Sequence, residues 1–375
     1  KYPLVPVWVF EPSHSPAPAW PEPSKEPNRQ SYDRAPQPVI ARGIVYFASS
    51  SEDTVWAVDA VSGRVRWMFS TSGPVRFAPA IALGRAYVAS DDGYLYCLDA
   101  KSGKLLWKFH GAPSGEMLMG NGRMISRWPL RSGVLVDGGV VYFTAGMWPT
   151  EGIFVYAINA KTGKQLWKND SSGSMYINLP HGGASAITGV SPQGYLSASN
   201  DTLLVPTGRS VPAAFDRHSG KFLYYRPAEN KFEGGVWTTV AGDIFFNPKN
   251  GRRPEGYAGL GESQPGAGDG IMAYTVRSGN RSLFLQNRHR VLANGNVLYS
   301  AGGGKVERVD LKKWQRQRNL NDCIQWSAEQ GLVRSMALAG QSLLLGGDNT
   351  ITALDAEGGK QLWAGRVEGQ VRGLA

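Results

Sequence analysis

Two cysteines in 375 residues leave little room for thiol chemistry. Cys97 and Cys323 lie far apart, and Cys97 stands at a strand position where related segments place Ala, so a buried free thiol is expected rather than a disulfide. No apolar run approaches the ~18 residues that cross a bilayer, and no long helical period is visible. Cys-x-x-Cys-His is absent, so attached haem is not expected; His-Glu-x-x-His and paired Cys ligands are absent, so no metal ligand set is proposed. There is no Gly-x-Ser-x-Gly elbow and no phosphate loop. The Gly-rich run 259–268 lacks a following Lys-Ser or Lys-Thr pair and reads as a flexible loop. Nothing at Lys1 has the pattern of a signal peptide. Acidic residues are outnumbered, 30 against 40 Lys and Arg, for a net charge of +10. That balance favours an anionic partner; nucleic acid is not expected.

The chain is rich instead in turn formers and large strand residues: 47 Gly, 23 Pro, 12 Trp, 15 Tyr and 13 Phe. They are ordered by a repeat, Ala-x-Asp-x-x-x-Gly-x-x-x-Trp. Its clearest copies are Ala57, Asp59, Gly63, Trp67; Cys97, Asp99, Gly103, Trp107; Ala157, Asn159, Gly163, Trp167; and Ala353, Asp355, Gly359, Trp363. Worn copies are Ala214, Asp216, Gly220 with Tyr224, and Ala273, Thr275, Gly279 with Leu283. Another begins at Arg308 and Asp310, with its aromatic displaced to Trp326. Copies roughly 35 to 60 residues apart indicate one supersecondary unit repeated, in the range of propeller blades.

The residues explain the unit. A strand such as Val55-Trp56-Ala57-Val58 ends at an Asp, whose carboxylate accepts backbone N–H groups of the turn. The Gly supplies a positive φ, and a second strand carries the Trp to the neighbouring repeat. Upstream lies another strand pair, as in residues 78–82 and 85–89 around Gly84, which makes four strands per blade.

With Lys-Thr-Gly-Lys or Lys-Ser-Gly-Lys inside it, this signature resembles the tryptophan-docking motif of the quinoprotein-like β-propellers. That superfamily includes dehydrogenases using pyrroloquinoline quinone and non-enzymatic outer-membrane assembly scaffolds. The resemblance implies an all-β, single-domain propeller and a periplasmic or secreted location. It says little about activity, because the motif builds blade contacts.

Inner strands are expected near Pro38, Phe77, Ser132, Gly194, Val236, Val291, Ser335 and Gly373, giving an eight-bladed propeller of four-stranded antiparallel blades. The eighth would open at 371–375 and be closed by the N-terminal strand 5–10, whose Trp8 matches the docking Trp. Residues 1–36 would be that closing strand plus a Pro-rich linker, and 37–375 the repeats. The chain would then be a truncated or processed product, or part of a larger assembly. Seven blades with an extra C-terminal strand is the alternative.

Long inserts at 111–128, 146–152, 169–193 and 247–270 all fall on the face that carries the blade-to-blade connections. Arginines stand just before inner strands: Arg34, Arg76, Arg131, Arg334 and Arg372, with Arg288 or Arg290 in the sixth blade. A ring of guanidinium groups would attract carboxylate, sulfate or phosphate, unless each pairs with a neighbouring acid. Arg209 joins them on a middle-strand loop. The segment 181–194 is dense in small polar residues and holds His181, a candidate base, and Gln193. Trp128 and Trp148 are placed either to stack on a sugar or planar cofactor or to anchor loops. Three functions follow. The first is a binding scaffold for an anionic small molecule, a polysaccharide or a protein. The second is a quinone-dependent dehydrogenase holding pyrroloquinoline quinone with Ca, although the vicinal cysteines of such alcohol dehydrogenases are missing. The third is a carbohydrate-active enzyme.

Overall fold

Each clear copy of the motif folds as its spacing predicts. Thr54–Asp59 and Val65–Ser70 pair antiparallel with Ala57 opposite Trp67 and a bulge between Ala57 and Val58. Asp59 Oδ1 accepts from the backbone of Val61 at 3.0 Å and Ser62 at 2.8 Å. Gly63 takes φ +70°, the left-handed value that the turn requires. Hydrogen bonds from Arg66 and then Ser62 hold the Asp59 carboxyl below the usual carboxylate range.

The structure, a computed structural model, describes residues 2–14, 37–120, 122–179, 183–208, 210–227, 229, 233–249 and 270–375. Arg34, His181, Arg209 and the run 259–268 lie outside the described residues. The chain forms two compact units, Val7–Lys231 and residues 1–6 with 232–375. The fold is an all-β propeller of four-stranded antiparallel blades, seven among the described residues.

In the unit Val7–Lys231, blade 1 runs Val39–Ala41, Ile44–Ser49, Thr54–Asp59, Val65–Ser70, and blade 2 runs Ala80–Ala82, Arg85–Ala89, Tyr94–Asp99, Leu105–His110. Blade 3 is Leu135–Asp137, Val140–Ala145, Phe154–Asn159, Gln165–Asn169. Blade 4 is Ser197–Ala198, Thr202–Val205, Ala213–Asp216, Phe222–Tyr224. Successive blades are fastened by the motif. Trp67 lies on Gly103, where an added Cβ would stand 2.7 Å from the indole, and donates Nε1 to Ala100 O at 3.0 Å. Trp107 lies likewise on Gly163, and Trp167 on Gly220 with Nε1 to Arg217 O at 3.0 Å. Removing the buried Trp67 indole would cost ~3 to 5 kcal/mol.

In the other unit, blade 5 is Thr239–Ala241, Ile244–Lys249, Gly270–Thr275, Arg281–Gln286. Blade 6 is Arg290–Asn294, Val297–Gly302, Lys305–Asp310, Ile324–Glu329, and blade 7 is Ser335–Ala339, Ser342–Gly346, Asp348–Asp355, Gln361–Gln370. The displaced aromatic of blade 6 is explained by an insertion. A helix, Leu311–Gln317, capped by Asp310 accepting from Lys313 N at 2.8 Å, and the short turn Asn321–Cys323 replace the tight turn. Trp326 nevertheless pairs with Arg308 and docks over Gly359, its Nε1 3.2 Å from Ala356 O.

The eight-blade expectation is corrected to seven. Residues 371–375 open no strand, because Val371 is tied to its own blade through Val371 N to Gly347 O at 3.0 Å and Ser335 Oγ to Val371 O at 2.7 Å. Blade 7 already has its fourth strand in Gln361–Gln370. Residues 5–10 form no strand either, and Pro6 has no N–H to give a ladder. The likeness to an outer strand survives at Trp8, which rests on Gly63 and donates Nε1 to Ala60 O at 3.0 Å. Both cysteines are free and buried.

Candidate functional site

In the unit Val7–Lys231, the leads into the inner strands of blades 2, 3 and 4 converge. Ser132–Gly133 runs parallel to Gly194–Tyr195. The Tyr195 ring lies over Gly133, where any Cβ would collide with it. The same ring meets Phe77 edge-on at 5.1 Å, and its hydroxyl accepts from Ala78 N at 3.2 Å. Arg76 and Arg131, two of the expected arginines, share one buried acid. Arg76 Nε reaches Asp91 Oδ2 and Arg131 Nε reaches Asp91 Oδ1, each at 2.8 Å, with Asp91 fully buried. Gln193, just before Gly194, is buried, with its backbone N bonded to Pro206 O at 2.8 Å and its Oε1 without a protein partner.

In the unit containing blades 5 to 7, Arg288 and Arg334 are again matched by acids. Arg288 Nη2 lies 2.7 Å from Glu307, which Lys305 also approaches at 3.0 Å. Burial pushes the Glu307 carboxyl up, but the bonds from Arg288 and Lys305 outweigh it and leave it below the usual range. Arg334 Nε lies 2.6 Å from Asp348, and that bond holds Asp348 low. Arg290 Nε donates to Arg334 O at 2.8 Å, and Arg372 donates to Gln370 Oε1. Between these cations sits His289, 3% exposed, with Nε2 2.8 Å from Val333 O. Burial first, and then the charges of Arg290, Arg288 and Arg334, depress its pKa to about 4, so it is neutral at pH 7.

The inserts of the first unit are where exposed chemistry collects. Residues 111–128 contain a hairpin, Met117–Gly120 with Arg123–Ser126, and residues 169–193 contain another, Met175–Asn178 with Ser185–Thr188. The turn Pro149–Glu151 touches the second hairpin and is bonded to the neck of the first. Arg127 pairs with both Glu116 and Glu151, and Trp128 donates Nε1 to Glu151 O at 2.5 Å. Trp128 is thus a buried loop anchor, whereas Trp148 stays half-buried beside the turn. Arg123 reaches back to Asp53 and to the carbonyls of Ser50 and Ser51, which seats the first hairpin on blade 1. On the second hairpin Tyr176 and Ile187 face each other across the strands and are 76% and 67% exposed. Met117, Met119 and Met124 are exposed on the first.

None of these five exposed residues was singled out from the sequence. The signal for the first hairpin was present as Asn121-Gly122, a strong two-residue turn signal. The acids that answer the arginines also carried a signal, since Asp91, Glu307 and Asp348 all stand at or near the start of a third strand.

Comparison with known proteins bears on both fold and family. Over 275 residues the chain is 24% identical to tetrathionate hydrolase of Acidithiobacillus ferrooxidans, covering 61% of this chain and 49% of that protein. It is 29% identical over 147 residues to the dehydrogenase subunit of the quinone alcohol dehydrogenase of Gluconobacter oxydans, covering 35% of this chain and 18% of that one. The chain thus spans half or less of the length of these relatives. The crystal structure of BamB from Moraxella catarrhalis superposes with a TM-score of 0.50 at 14% identity, covering 85% of this chain and 81% of that chain, a likeness of fold. The sequence pattern of one family matches residues 14–143 and 122–365. By that match the chain belongs to the family described as outer membrane protein assembly factor BamB.

Proposed function

We infer that the protein is an exported, non-catalytic scaffold that docks a protein partner on the hairpin-bearing face of blades 2 to 4. One observation carries this reading: the Tyr176–Ile187 pair is raised into solvent, while Arg76, Arg131, Arg288 and Arg334 of the expected anion ring are engaged with acids. An exposed tyrosine facing an exposed aliphatic side chain is the composition of a protein-binding patch. The family match supports a partner in outer-membrane protein assembly and a periplasmic location.

The quinone alternative draws support from the alcohol dehydrogenase relatives. The described residues fit that cofactor poorly. A tricarboxylate needs guanidinium groups not already committed, and Arg76, Arg131, Arg288 and Arg334 each hold a carboxylate. Among the described residues no group of three His, Cys, Asp or Glu could hold its divalent ion. A photo-crosslinking side chain at position 176, compared with one at the exposed Val61 on the turn face, tests the docking reading in living cells. Crosslinks from 176 to an envelope protein support it. Crosslinks from 61 alone, or alcohol-dependent dye reduction by the purified chain given the quinone and Ca²⁺, contradict it.

A further inference from the structure

The first hairpin has a composition that packing does not explain. Its outward positions are Met117, Met119 and Met124, 42%, 68% and 50% exposed, and its inward positions include Ile125, 1% exposed. Strand propensity favours Val, Ile, Thr or an aromatic at such sites, and the neighbouring hairpin does carry Tyr176 and Ile187 in that role. Apolar volume alone would be met by any of them. What the three methionines share and the others lack is a thioether sulfur.

The register puts those three side chains on one face of the ribbon. Met119 is directly opposite Met124, and Met117 stands two residues before Met119 on the same side of the same strand. Facing Cβ atoms lie about 5 Å apart and alternate ones along a strand about 7 Å apart. Three rotatable bonds per side chain let three sulfurs converge on one point between them. The one cation on the hairpin strands, Arg123, is engaged with Asp53 and does not compete. The frame is fixed at its base by Ser126 N to Asp91 O at 2.7 Å and Arg127 N to Glu116 O at 2.9 Å. At its tip Gly122 takes φ +75°.

Neutral, polarisable thioethers are poor ligands for Mg²⁺, Ca²⁺ or Zn²⁺ and good ones for a soft monovalent ion. We propose that Met117, Met119 and Met124 form a trithioether site for Cu(I), for which Ag(I) serves as a redox-inert probe. The site does not depend on the docking reading, which is carried by the other hairpin.

The experiment titrates the whole chain anaerobically with Cu(I) against a chromophoric Cu(I) chelator. One equivalent should be withheld from the chelator. Met119→Leu with Met124→Leu keeps apolar volume and removes two sulfurs; it should weaken retention at least tenfold while leaving the circular dichroism unchanged. In wild-type chain labelled at the methionine methyl carbons, Ag(I) should move three methyl resonances, assigned by single Met→Leu variants, and leave the others in place. Equal Cu(I) retention by wild type and the double variant would overturn the proposal. So would unmoved methyl resonances, or loss of the bound equivalent in Cys97→Ser or Cys323→Ser with all three methionines intact.

Discussion

His289 makes the stability of the unit with blades 5 to 7 depend on pH with a definite sign. The imidazole is buried, donates one N–H to Val333 O, and has no protein partner at Nδ1. Protonation would put a further charge among Arg288, Arg290 and Arg334, and its pKa is accordingly about 4 against 6.5 for an ordinary histidine. Above pH 6.5 both folded and unfolded states are neutral at this residue, and its contribution is fully present. As pH falls from 6.5 toward 4 the unfolded chain takes up a proton that the folded one refuses, so stability is lost at up to ~1.4 kcal/mol per pH unit, about 3 kcal/mol in all. Below pH 4 the folded state protonates too and the loss levels off. His289→Gln keeps a donor for Val333 and removes the titration. Urea unfolding of both proteins between pH 7.5 and 4.5, followed through tryptophan fluorescence, should show a gap that changes across that window. Parallel stability curves would refute the buried neutral histidine.

Three other outcomes follow from the packing. Asp91→Ala leaves Arg76 and Arg131 buried without their shared acid and should cost ~3 to 5 kcal/mol by urea denaturation of the Val7–Lys231 unit; a loss below ~1 kcal/mol would mean that the guanidiniums find water. Gly220→Ala forces a Cβ into the Trp167 ring at a φ of +74° and should destabilise by ~1 to 3 kcal/mol, read as a lower thermal midpoint. Trp8→Ala should cost about 3 kcal/mol and speed amide exchange around Ala60, whose carbonyl loses its indole donor.

The blade was legible because its signature is local. Asp59, the bulge after Ala57, Gly63 and Trp67 lie within one strand, turn and strand, so their spacing dictates their geometry. Trp8 matched the docking Trp in the pattern, but the outer strand and eighth blade expected around it do not form. The blade number was not local in this sense. Whether 371–375 opens a strand depends on Val371 meeting Gly347 and Ser335, a choice made by tertiary hydrogen bonds. The arginines were visible, but their acids lie 14 to 40 residues away in sequence, and only the folded blade brings Asp91 between Arg76 and Arg131. The hairpins on the inserts were hidden for a different reason. Short two-stranded ribbons carry few periodic residues, so both segments read as loops; the 111–128 hairpin left only its Asn121-Gly122 turn as a signal, and the 169–193 hairpin left none.

The central claim is that the hairpin-bearing face binds protein. Its most direct measurement compares the tagged wild-type chain with Tyr176→Ser/Ile187→Ser and with Arg334→Ala for association with outer-membrane assembly proteins in detergent-solubilised envelopes. Association lost in the hairpin variant and retained in Arg334→Ala is the predicted result. Retention by the hairpin variant, with loss in Arg334→Ala, would contradict the account and return the function to the arginines.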